Sequence, residues 1–197
     1  MFAIIKTSRS RSLITIALAT LLVATGAAII QPSSAQAYAT NGCKFAGTAP
    51  TIPIKYSTLV TSNTITAMNG AIGRWNATIP LTLLTTTATG YKVLVTELSS
   101  TEDYWAVTQG SCATGGGKTW SGVVSITWNT PLTGNPSTTG RRMIGTHELG
   151  HSMGLNHVSA TSCSSTHAVM GQGTWKFSCG WGTEPWTDDI NGINAVY

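Results

Sequence analysis

From Thr51 to Tyr56 the chain reads Thr-Ile-Pro-Ile-Lys-Tyr, an apolar/polar alternation of period two that predicts a short strand with a proline near its start. The period then changes. Ile65, Met68, Ile72 and Trp75 fall three and four residues apart, a single helical stripe that Ser62 or Asn63 can cap and that outweighs the two glycines at 70 and 73. Residues 81–86 and 91–98 are β-rich runs parted by Ala88-Thr89-Gly90, and residues 122–129 form the clearest later strand. Between them, 104–108 suits an edge strand and Gly115-Gly116-Gly117 reads as loop. Residues 131–139 also read as loop, and the next helix begins around Ser137 to Thr139. The last segment, 187–197, predicts a short helix capped by Thr187, with Asp188 and Asp189 at its positive end and Ile190, Ile193 and Tyr197 on its buried side. Neither a repeat nor an internal linker is visible.

One segment does not follow the apolar pattern. Residues 147–157, His-Glu-Leu-Gly-His-Ser-Met-Gly-Leu-Asn-His, contain three of the chain's four histidines. His147 and His151 are four apart, so on a helix they lie on one face and can reach one ion. If the helix continued, His157 would lie about 15 Å from His147 along the axis, too far to share it. The chain must therefore turn back, and Gly154 supplies a residue that enters the left-handed region freely. Three imidazoles with one open position is the arrangement of a catalytic zinc ion. Gly145 and Gly150 each cost that helix about 1 kcal/mol against alanine, which implies close backbone packing there.

The first 37 residues change the charge balance. Lys6, Arg9 and Arg11, the apolar run from 13 to 30 and Ala35-Gln36-Ala37 read as a secretory signal peptide cleaved after Ala37; an uncleaved membrane anchor is the other reading of an 18-residue run. Of 11 basic and 7 acidic residues, those three basic ones lie in the segment, leaving 8 against 7 over residues 38–197, a net of +1. No basic patch remains to attract nucleic acid, and no membrane contact is expected after cleavage. Residues 38–197 have the length of one domain, expected to be monomeric and extracellular. Cys43, Cys112, Cys163 and Cys179 are an even set in such a chain, so two disulfides are expected. Three connectivities are possible; the preferred one joins Cys43 with Cys112, tying down the N-terminal arm, and Cys163 with Cys179, closing the loop after the histidine motif.

The motif His-Glu-x-x-His-x-x-Gly-x-x-His resembles the metzincin signature. Trp75-Asn76-Ala77-Thr78-Ile79-Pro80-Leu81-Thr82, Val169-Met170, and Asp188-Asp189-Ile190-Asn191-Gly192-Ile193 with Tyr197 look like segments of the matrixin (matrix-metalloprotease-like) catalytic domain. The resemblance covers most of residues 51–197. It implies an α+β fold of the three-layer, α/β-type metzincin kind: a twisted, mostly parallel five-stranded sheet with one antiparallel edge strand, two long helices, a Met-turn and a short C-terminal helix. It implies further one catalytic Zn2+ on His147, His151 and His157, Glu148 as general base, Met170 as the apolar floor under the histidines, and a peptide substrate laid against an edge strand within 104–119. The sequence departs from matrixins in lacking a Pro-Arg-Cys-Gly switch, in having Val158 after the third histidine, and in carrying too few carboxylates for their structural zinc and calcium sites.

The function implied is a secreted zinc endopeptidase acting on protein or peptide substrates. A secreted binding module without catalysis, suggested by seven tryptophans and low charge, is the alternative. His167 reads as a loop histidine with no catalytic duty, and Trp175, Trp181 and Trp186 as core aromatics. Residues 171–177 are expected to wall the pocket beside the zinc ligands.

Overall fold

The computed structural model describes residues 38–113, 118–133, 136–159, 163, 167–173, 175–180 and 183–197, without the side chains of Thr133 and Trp175. The signal peptide expected at 1–37, the triple glycine at 115–117 and Trp181 lie outside the described residues.

Five strands form the main sheet: β2 (Thr51–Tyr56), β3 (Thr82–Thr85), β4 (Val93–Leu98), β5 (Ala106–Gln109) and β6 (Val124–Asn129), in the order β3-β2-β4-β6-β5. All neighbours are parallel except β5, which runs antiparallel to β6 at the edge. The β-rich runs on either side of Ala88-Thr89-Gly90 therefore do not pair with each other; β2 lies between them. Parallel register puts Ile54, Val93 and Val124 in one row, and Val95 and Ile126 in the next row but one, all fully buried. Their branched side chains build one continuous core face.

Two 15-residue helices pack on each other and on the sheet: α1 (Ser62–Asn76) and α3 (Thr138–Ser152). The stripe in α1 buries Met68, Ile72 and Trp75 together with Ala67 and Ala71, while Ile65 is only half-buried. Its N-cap is Thr61, not Ser62 or Asn63, and it is held from outside the helix: buried Glu97 of β4 accepts from Thr61 N at 3.2 Å and from its hydroxyl at 2.9 Å. A carboxylate on a neighbouring strand replaces the local cap.

The helices number five among the described residues, more than the two long and one short that the resemblance implied. Residues 131–139 are not wholly loop, since α2 (Thr130–Thr133) takes a turn there, and α4 (Trp175–Ser178) adds another after the histidine region. The terminal helix α5 (Thr187–Val196) begins at Thr187, so Thr187 is not its cap; Trp186 is, and the Asp189 carboxylate reaches back to Trp186 N at 2.8 Å. A two-stranded ribbon not foreseen from the sequence pairs β1 (Ala39–Thr40) antiparallel to β7 (Leu155–Asn156). Both disulfides join the expected partners, Cys43 with Cys112 and Cys163 with Cys179, at Cα separations of 5.7 and 5.3 Å. Among the described residues no helix is long and apolar enough to cross a membrane.

Candidate metal centre

Helix α3 carries the first two histidines because Ser137 starts it, its hydroxyl accepting from Gly140 N at 3.1 Å, and because its two inner glycines let it sit deep. A Cβ on Gly145 would lie 3.2 Å from Met68 Sδ and 3.3 Å from Ala71 Cβ; one on Gly150 would collide with Met170 Sδ and touch Trp75 Cζ2 at 3.4 Å. Glycine thus lets α1 and the Met170 side chain approach the backbone of α3, as its poor helix propensity implied. Trp75 Nε1 donates to the Thr146 carbonyl at 2.9 Å and locks the two helices in that position.

The helix ends at Ser152, and Gly154 reverses the chain at φ +111°. A side chain there would strike Cys43 O at 2.6 Å. The reversal delivers His157 to the other two. Their Nε2 atoms form a triangle with every side 3.1 Å. His147 Nδ1 lies 2.7 Å from Val169 O and His151 Nδ1 3.0 Å from Leu155 O. A carbonyl only accepts, so each Nδ1 carries the proton and each Nε2 turns a lone pair inward.

The inward lone pairs of His147 and His151 repel each other unless a cation lies between them. Three nitrogen donors this close together suit a single ion such as zinc, which His147, His151 and His157 would hold. The protonation states also suit a metal. Burial, with help from the nearby Lys176 charge, holds His147 well below the usual imidazole range; burial brings His151 down to about 4 and lowers His157 as well. Among the described residues these three form the one group of His, Cys, Asp or Glu side chains placed to hold a metal ion. His167 stays apart and exposed, its ring edge-on to Trp186 at 4.6 Å.

Glu148 is 5% exposed and faces the edge strand. Thr108 Oγ1 of β5 stands 2.7 Å from its Oε2. Burial pushes the carboxyl up to about 7, opposed by this hydrogen bond. Glu148 also separates two cavities. One, of about 310 Å³, opens past His147 between Trp105, Ile144 and Lys176; the other, of about 660 Å³, runs past His151 and His157 along Val107 and Gln109.

The floor is made by the turn at 168–171. Met170 is 1% exposed and lies against Gly150, beneath the histidine helix. Val158 N donates to Met170 O at 3.2 Å, which ties the residue after His157 to the same turn.

Three contributors were not foreseen from the sequence. In the sequence Asp189 is a helix-end charge, but its buried carboxylate accepts from Val169 N at 2.8 Å and Met170 N at 3.2 Å, so α5 holds the turn. Burial pushes that carboxyl up to about 6 despite those donors. Thr108 lay in an edge strand expected over 104–108 and observed over Ala106–Gln109. Lys176, inside an aromatic stretch, carries no pattern that marks it as buried. Its ammonium donates to Gly171 O at 2.8 Å and Val169 O at 3.2 Å, and burial brings it down to about 8.

No protein-family model matches this chain, and no curated protein is significantly similar to it. The geometry alone therefore identifies the centre: a mixed α+β domain presents three histidines placed to hold one metal ion, with a buried glutamate beside them.

Proposed function

We propose that this protein is a secreted zinc-dependent endopeptidase of the metzincin type. The observation that carries the reading is the position of Glu148: one residue from the first histidine, hydrogen-bonded to the edge strand, and at the junction of two cavities that flank the triad. A chain laid along β5 would pass that junction. β5 ends the sheet, so its outer edge offers main-chain donors and acceptors to an extended peptide. Two disulfides and the signal-like first 37 residues support secretion.

His147, His151 and His157 would hold the ion, which when bound supplies Lewis acidity, polarising a peptide carbonyl and acidifying water. The hydrogen bonds to Val169 O and Leu155 O keep two of the imidazoles in the required tautomer. Glu148 takes a proton from the attacking water as its oxygen bonds to the carbonyl carbon, then delivers that proton to the amine nitrogen as the carbon–nitrogen bond breaks. Thr108 fixes the carboxylate for both transfers.

The competing reading is a tryptophan-rich binding module, and three of the seven tryptophans are engaged in the fold. Trp75 and Trp128 are fully buried, and Trp120 is half-buried with its Nε1 donating to Ser152 O at 2.8 Å. Glu148→Gln should keep one zinc per chain and lose nearly all cleavage of casein or gelatin. A fully active E148Q protein, or zinc-loaded wild-type protein that cleaves nothing, overturns the proposal.

A further inference from the structure

The 310 Å³ cavity beside His147 combines apolar walls with one buried cation. Trp105, Ile144 and Leu132 line it, and Trp105 is braced by Phe177 at 4.5 Å between ring centroids. Lys176, 5% exposed, is its single lysine or arginine among the described residues. Two backbone carbonyls solvate the ammonium, and His147 Nδ1 at 3.2 Å already donates to Val169 O, so it offers no lone pair. No described carboxylate makes an ion pair with it. Glu148 and Asp189 lie near enough to feel its charge, but Glu148 is engaged by Thr108 and Asp189 by three backbone N–H groups. Asp103, also on the wall, is exposed and screened by water.

A buried ammonium without a counter-ion is costly, and a ligand carboxylate that reaches it gains a charge-assisted hydrogen bond where water is scarce. We infer that this cavity receives a carboxylate borne by the residue that follows the cut bond: the side chain of an acidic residue, or the chain terminus of a peptide that ends there. The apolar walls suit the methylene stem of glutamate. The inference rests on the zinc peptidase reading and names its substrate class; a side-chain carboxylate keeps the activity an endopeptidase's, and a chain terminus makes it a carboxypeptidase's.

Zinc-loaded protein is assayed on matched peptides that carry Glu or Gln after the scissile bond, which differ in charge but hardly in shape. A second pair ends at that residue, Leu, with a free or an amidated terminus. The expected result is a preference of roughly tenfold or more in kcat/KM for the charged member of at least one pair. The pair that shows it identifies the source of the carboxylate. Lys176→Met should bring that ratio close to one; if the variant does not fold, the wild-type ratios decide. Wild-type ratios near one in both pairs overturn the inference and leave the endopeptidase reading intact, as does a preference that survives in folded, zinc-bearing K176M protein. Zinc binding without cleavage of any peptide overturns both.

Discussion

Thr108 on the edge strand and Glu148 on the histidine helix are joined twice: one threonine hydroxyl lies 2.7 Å from the carboxylate and 3.0 Å from the backbone carbonyl of the same glutamate. The strand that would carry substrate is thus fixed to the base that would act on it. The bond favours the ionised carboxyl, which burial otherwise disfavours. Glu148 must be ionised to accept a proton, so the rate falls on the acid side. Thr108→Val should move the acid limb of the kcat/KM profile to higher pH, by up to about one unit. A limb that stays in place or moves down contradicts the role.

Two helical glycines make opposite predictions. Gly150→Ala pushes a methyl into Met170 and should destabilise the protein by about 1–3 kcal/mol while weakening zinc binding. A Cβ on Gly73 meets nothing within 4 Å on an exposed face of α1, so Gly73→Ala should stabilise by about 0.5–1 kcal/mol. Denaturant unfolding of both variants, with zinc titration of the first, checks the pair.

Asp189 serves three N–H donors from two segments. An asparagine keeps one acceptor oxygen and aims an NH2 at the remaining donors. Asp189→Asn should therefore cost about 1–3 kcal/mol in urea unfolding. The carboxyl's folded value, about 6, lies above its ordinary 3.8, so burial of the charged form subtracts stability as pH rises from about 4 to 6. D189N removes that contribution, and its deficit against wild type should be larger at pH 4 than at pH 7.

Metal removal gives a fourth test. With the imidazoles neutral and facing one another, free zinc at a hundred times its Kd should stabilise the fold by about 2.7 kcal/mol, and a chelator should lower the melting temperature accordingly. Protons compete for the same lone pairs. Because burial brings His151 down to about 4, the folded protein should retain zinc at a pH where a free peptide of residues 147–157, with imidazoles near 6.5, has released it. Zinc release measured against pH for both species decides this.

The clustering of the three histidines was legible because its spacing is a geometric demand: two histidines one helical turn apart, a glycine able to reverse the chain, and a third histidine after it. The sheet strands and the stripe of α1 were legible from their periods. What escaped the reading depends on contacts distant in sequence. The cap of α1 comes from Glu97, 36 residues beyond Thr61, and the turn at 168–171 is held by Asp189, which looks like an ordinary helix-end charge. β3 and β4 look like a hairpin's arms in one dimension, yet β2 separates them. Nothing in Trp-Lys-Phe tells a reader that the lysine is buried beneath a histidine.

The reversal at Gly154 also bears on when the centre can exist. Its space is bounded on one side by Cys43 O and on the other by Val196 Cγ1, while Asn41 Nδ2 reaches His151 O at 2.9 Å and Lys44 anchors to Val196 O at 2.6 Å. The turn that delivers the third histidine is clasped by segments about 150 positions apart. Synthesis is vectorial, so residues 187–197 leave the ribosome after all three histidines have been made. A nascent chain can display the whole His-Glu-x-x-His run and still lack the clasp and the Asp189 support, so the three histidines are held in place only once residues 187–197 have emerged and packed.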